Sequence, residues 1–290
     1  MKTYIDCIPC FISQSLNAAR LATPDENIHE QVMRGVLSEV STMDLSQSPP
    51  LMGQYIHKII RNFTGNTDPY KSVKDRFNQF AMELLPDLLK KVRESSNPLE
   101  TACRIAIAGN IIDYGVNSRL DKSTVLKTIE HAMTTPVFGD MEAFQAAVNS
   151  AKKILYLGDN TGEIVFDRLL VEQLSPDRVT YVVRGAPVIN DATMIDAENT
   201  GMTKMVRVID NGTDAPGTVL SMCSDNFLEY FNSADLIISK GQGNYETLSE
   251  EDKNIFFLFK AKCQIAARDA GCELGDIVIL KKERSFKQNE

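Results

Sequence analysis

Leu155-Tyr156-Leu157-Gly158-Asp159-Asn160-Thr161-Gly162-Glu163 is an apolar run, a glycine, a cluster of oxygen-bearing side chains and then a stretch of helical character. That order reads as a buried strand, its tip and the helix that follows. The same grammar recurs at Val179 to Val183, followed by Arg184-Gly-Ala-Pro-Val-Ile-Asn190-Asp191-Ala-Thr193. Further short apolar runs lie at Met205 to Ile209, Leu236 to Ile238 and Ile277 to Leu280. Strands separated by segments of helical length predict right-handed βαβ crossovers and a mainly parallel sheet. Residues 151–290 therefore read as a Rossmann-like α/β domain that carries the site. No GxGxxG follows the first strand, so the architecture alone implies no dinucleotide.

Upstream the grammar differs. Val73, Phe77, Phe80, Ala81, Leu84, Leu85, Leu88, Leu89 and Val92 recur at three- and four-residue spacing, which lines one face of a long helix that Pro86 interrupts. Residues 1–150 read as an N-terminal helical bundle domain on the cap side of the site, and the fold class is α/β. The segment from Lys281 to Glu290 reads as a charged, frayed end.

The chain has 290 residues, 43% of them apolar, and a formal charge of −8. Such a balance argues against nucleic-acid or anionic-membrane partners and requires a local cation or a metal wherever a phosphate is held. The first residues lack the apolar core of a signal peptide, and no run reaches the roughly 18 apolar residues of a spanning helix. The expected location is cytoplasmic. Cys103, Cys223, Cys263 and Cys272 sit in apolar surroundings and read as core. Cys7-Ile-Pro-Cys10 has metal or redox spacing, but no second pair completes a zinc tetrahedron; two buried thiols entering the first helix is the competing reading.

In an open parallel sheet, ligands bind at the carboxyl ends of the strands. Two tips side by side would gather Asp159, Asn160 and Asp191 into one oxygen-rich pocket, the outline of a hard-metal site. The bland alternative for each tip is a helix cap. A third tip, Ser239-Lys240-Gly241-Gln-Gly243-Asn244-Tyr245, places a lysine at a strand end before a glycine-rich turn and reads as a phosphate cradle. Backbone N–H groups near Thr161, Gly162 and Gly241 would share the phosphoryl charge with Lys240. Glu163, Asn190 and Arg184 flank these groups and join the substrate-binding candidates. In the helical half, Asn110 and Asp113 are polar groups in an apolar stretch that need partners or a ligand, and they are expected to face the substrate. Asp68-Pro69 reads as a helix cap and first helical position. His29, His57 and His131 read as surface or packing residues.

Together the three tips resemble those of the DUF89 family of metal-dependent damage-control phosphatases, also called ARMT1-like. The likeness runs nearly end to end: Cys7-x-Pro-Cys10, Asp68-Pro-Tyr70, Ala108-Gly-Asn110-x-x-Asp113 and a helix at Phe259-Lys260-Ala-Lys-Cys263 are similar to its prokaryotic branch bearing the CxxC. The resemblance implies a helical domain, a Rossmann-like domain, and hydrolysis of phosphate monoesters of small metabolites (sugar phosphates or damaged phosphometabolites) with a divalent ion such as Mn, Ni, Co or Mg. It also implies that Asp159, Asn160 and Asp191 hold the metal while Lys240 and Asn244 hold the phosphate. Attack would come from a metal-activated water or from the Asp159 carboxylate. One rival is a carboxyl methyltransferase using S-adenosylmethionine, which the missing glycine-rich turn after Asn160 opposes. A haloacid-dehalogenase-type phosphatase would need an Asp where Thr161 stands. The other rival is a non-catalytic module that binds a metal or a phosphometabolite.

Overall fold

The computed structural model describes residues 1–109 and 122–282. Helices α1 (Cys7–Ala22), α2 (Glu26–Thr42) and α3 (Pro49–Thr64) close on a core of their own that includes Phe11, Val32, Val36, Met52, Ile56 and Ile60. Then come α4 (Lys71–Arg93), which runs through Pro86, α5 (Pro98–Ala108) and α6 (Lys122–Thr134). The remaining elements alternate: β1 (Val137–Gly139), α7 (Met141–Ser150), β2 (Ile154–Leu157), α8 (Glu163–Gln173), β3 (Val179–Val183), α9 (Met194–Asn199), β4 (Arg207–Asp210), α10 (Asp225–Ser233), β5 (Leu236–Lys240), α11 (Gln242–Leu248), β6 (Ile255–Lys260), α12 (Gln264–Ala270) and β7 (Ile277–Leu280).

The sheet has the order β1-β7-β6-β5-β2-β3-β4, and every neighbouring pair is parallel except β6–β7. From β2 the chain winds outward through β3 to β4, then returns to β5 on the other side of β2. The β2/β5 junction is therefore the topological switch point, where a crevice opens at the carboxyl ends of the strands.

Both faces of the sheet are covered, which is why its strands read as continuous apolar runs instead of alternating ones. Ile154, Tyr156, Tyr181, Ile238 and Phe256 face a core shared with α4, α5 and α8. Leu155, Leu157, Val182, Ile237 and Phe257 face a second core with α10 and α11. The first core is continuous across residue 150: Phe77, Leu84 and Leu88 of α4 belong to the same cluster as Phe166 and Leu169 of α8.

Two strands depart from the sequence reading. Residues 137–139 lie in the half read as helical, yet they pair with β7 at the sheet edge. Residues 255–260 form β6, so the stretch at Phe259-Lys260 is strand and α12 begins only at Gln264. The cap expected at Asp68 also differs: α4 starts at Lys71 with Tyr70 as its N-cap, and the Asp68 carboxylate instead meets Lys74 Nζ at 3.2 Å. Among the described residues, no helix is long and apolar enough to cross a membrane.

Candidate active site

The tips after β2 and β3 are stitched together by backbone. Ala192 N donates to Asp159 O at 2.8 Å, Thr161 N to Asn190 O at 2.9 Å, and Arg184 N to Ala192 O at 2.9 Å. Between them Ile189 adopts φ 45°, a left-handed conformation that costs a β-branched residue of order 1–3 kcal/mol and is held only where its surroundings enforce it. This strain sits immediately before Asn190 and Asp191.

Asp159, Asn160 and Asp191 do converge, at 8%, 6% and 3% exposure. Asn160 Nδ2 donates to Asp159 Oδ2 at 2.7 Å. Arg184 spans both carboxylates, Nε to Asp191 Oδ2 at 2.6 Å and a terminal nitrogen to Asp159 Oδ1 at 3.4 Å. Neither Asp159 nor Asn160 serves as a cap, since the N-cap of α8 is Gly162 at φ 73° with no side-chain bond. At the second tip the cap is Thr193, in a capping box with Asp196, which leaves Asn190 and Asp191 outside it. The bland alternative therefore accounts for Thr193 alone.

The third tip closes against the first. A Cβ added to Gly241, at φ 80°, would lie 2.0 Å from Asp159 Oδ2, so this position admits only glycine beside the carboxylate. Asn244 was expected to hold phosphate; instead it is fully buried and staples the tips, donating to Gly158 O (3.1 Å) and Lys240 O (2.8 Å) and accepting from Thr218 Oγ1 (2.8 Å).

Lys240 departs further from its expected role. Its ammonium is fully buried and donates to Ala106 O (3.0 Å), Glu163 Oε1 (2.5 Å) and Asp167 Oδ1 (2.7 Å), which uses all three of its protons. Asp167 also accepts from Tyr156 Oη and Tyr181 Oη, each at 2.7 Å. Burial pulls the Lys240 pKa down, but Asp167 and Glu163 more than offset that and leave it raised. Burial drives Glu163 above the ordinary carboxylate range although Lys240 opposes it. Glu163 in turn takes a 3.4 Å hydrogen bond from Asn160 Nδ2, so the buried lysine acts on the site at second hand.

The expected backbone cradle is likewise occupied. Thr161 N–H goes to Asn190 O, Gly162 N–H to Asn78 Oδ1 at 2.8 Å, and Gly241 N–H to Leu258 O at 3.1 Å. Asn78 was missed by sequence reading, as were Lys74, Asp167 and Asp196. Asn78 Nδ2 donates to Asp196 Oδ1 at 2.9 Å and Lys74 Nζ lies 3.3 Å from Asp196 Oδ2, so α4 pins both tips. A signal existed: Lys74 and Asn78 continue the stripe of Ala81 and Leu85 at helical spacing, and polar residues in register with a core stripe need buried partners. Asn110 and Asp113 lie outside the described residues.

Beside the tips lies a cavity of about 670 Å³ whose wall includes Ile189 and Gln242, the neighbours of Asn190 and Gly241, together with Cys7, Cys10 and Cys263. Cys263, read as core, is half-buried on this wall; its Sγ accepts from Gln242 Nε2 and Ala266 N, both at 3.4 Å. Cys223 and Cys272 are also only half-buried, and Cys103 alone of the four is core.

Among the described residues no group of three or more His, Cys, Asp or Glu side chains is disposed to hold a metal ion. The candidate set is smaller, two carboxylates and an amide. Because one guanidinium already reaches both carboxylates, a single cation can be shared between them, and their hard oxygens fit a divalent ion that keeps other positions open.

The sequence profile of the damage-control phosphatase ARMT1-like domain matches residues 3–278. An uncharacterized protein of Methanocaldococcus jannaschii is 36% identical over 97% of this chain and 96% of its own length. A damage-control phosphatase of Pyrococcus horikoshii is 34% identical over 98% of this chain and 99% of its own. The crystal structure of a DUF89 family protein from Pyrococcus horikoshii superposes with a TM-score of 0.90 at 32% identity, covering 98% of this chain and 100% of the other.

Proposed function

The chain belongs to the damage-control phosphatase ARMT1-like family, and we propose that it hydrolyses phosphate monoesters of small metabolites at the Asp159–Asn160–Asp191 centre with a divalent cation. The observation that carries this reading is the convergence of those three side chains at the β2/β5 switch point, beside a cavity of metabolite size. A divalent ion bound by these oxygens would supply Lewis-acid charge to the phosphoryl group.

The chain's own groups do the rest. Arg184, fixed by both carboxylates, sets a permanent positive charge at the tips for an incoming phosphoryl oxygen. Both amide protons of Asn160 are spent on Asp159 and Glu163, which leaves its Oδ1 as the ligand-facing atom. Asp159 Oδ2 is occupied by Asn160 and Oδ1 faces Arg184, an arrangement better suited to holding charge than to attack, so water is the favoured nucleophile.

Metal-stripped protein offered p-nitrophenyl phosphate and a panel of sugar phosphates is expected to release inorganic phosphate only after Mn, Co, Ni or Mg is restored. Silence across the panel with metal demonstrably bound would move the assignment to the non-catalytic module. Gly241→Ala is expected to lower kcat/KM by on the order of 100-fold, because its Cβ must displace the Asp159 carboxylate. A melting curve recorded alongside separates that displacement from general unfolding, and unchanged kcat/KM would show that Asp159 is not held by this contact.

A further inference from the structure

The cavity beside the tips has a wall of one electrostatic character. Its carboxylates are Asp6 and Glu246, its amides include Gln14 and Gln242, and its rings are Phe11 and Tyr70. No lysine, arginine or histidine lines it among the described residues. The cations of the site lie at the sheet side and are already engaged, Arg184 by Asp159 and Asp191, Lys240 by Glu163 and Asp167.

Glu246 is placed to matter most. It stands one helical turn past Gln242 on α11, is buried to 8% exposure, and its carboxylate takes a 2.7 Å hydrogen bond from Gln242 Nε2. Gln242 is itself fixed, since its Oε1 accepts from Lys262 N at 3.0 Å. The Met1 ammonium donates to the Glu246 backbone carbonyl at 2.7 Å, and its charge favours the ionised carboxylate without overcoming the effect of burial. Burial pushes the Glu246 carboxyl up to about 7, so above that pH it stands in the wall as a fixed anion that repels a second anion, whereas a carboxylate accepts from a hydroxyl group and an amide both accepts and donates.

We infer that this cavity receives the alcohol part of the substrate and admits uncharged, hydroxylated groups while rejecting a second phosphate, with Glu246 setting that preference. The inference rests on the phosphatase reading above and narrows it to monophosphates. The carboxylate acts by opposing the wrong substrate, which costs more discrimination when removed than it costs turnover of the right one.

The test compares a hexose monophosphate with the corresponding hexose bisphosphate under saturating metal. The wild-type protein is expected to favour the monophosphate by at least about 10-fold in kcat/KM, expressed mainly in KM. Glu246→Gln is expected to narrow that ratio, and Gln14→Lys, on the facing helix α1, to narrow it from the other wall without touching Glu246. Equal kcat/KM for the two esters in the wild type, or a ratio unmoved in both variants, overturns the inference and leaves the phosphatase reading standing. Silence with every ester overturns both.

Discussion

Asp191→Asn is expected to abolish metal-dependent phosphate release, with kcat/KM falling on the order of 1,000-fold or more, the range found when a group that stabilises transition-state charge is lost. Asparagine keeps an oxygen for Arg184 Nε, so the 2.6 Å contact survives as a neutral hydrogen bond and the tip is not emptied. What is lost is one of the two negative charges that a cation would share. Asp191→Ala is a poorer test, since it leaves the buried guanidinium with Asp159 alone and confounds chemistry with stability. The expected pattern for the asparagine variant is a near-native melting temperature, weakened metal binding by calorimetry, and no turnover. A fully active protein would remove Asp191 from the centre and with it the present assignment of the site.

Several strands were legible from the sequence for a physical reason. The runs at 154–157, 179–183 and 277–280 are enclosed on both faces, so they appear as apolar segments, broken only by Thr180, that end at glycine or charge. The same property hid β6. Ile255-Phe-Phe-Leu-Phe259 is apolar throughout, and such a run cannot be told from a buried helix by period, so its end reads equally as the start of a helix. β1 is three residues on an edge, too short to carry any period. β4 begins later than its apolar run because a 3-10 turn takes Met202–Lys204 and leads into it.

The positions of the acidic tips could be read because they depend on backbone order alone. The partners of each side chain could not, since pairing depends on which helix lies across the tip. Lys240 is the exception that was readable. Side chains alternate along a strand, so residue 240 shares a face with Leu236 and Ile238, and that face packs on α5 and α8. Its ammonium had to point into the core toward Ala106, Glu163 and Asp167, not outward to a ligand.

Lys240→Met separates the two accounts of that lysine. As a phosphate contact, its loss would cost activity and little stability. As the counter-charge of a fully buried pair of carboxylates, its loss leaves Glu163 and Asp167 uncompensated, and breaking such a network costs about 3–5 kcal/mol. Urea denaturation at neutral pH is expected to show the larger loss. The sign with pH follows from burial, which already holds Glu163 above its ordinary value of 4.5 with Lys240 present, and further above it without. A carboxyl whose folded pKa is raised loses stability as pH climbs from the unfolded value toward the folded one. The deficit of the methionine variant should therefore be smallest near pH 4.5 and grow toward neutrality. Adding Asp167→Asn removes one stranded charge while keeping an acceptor for one of the Tyr156 and Tyr181 hydroxyls and an amide donor for the other, so the double variant is expected to be less destabilised than the two singles summed. Additive losses, or a stable but inactive Lys240→Met, would return the lysine to the substrate.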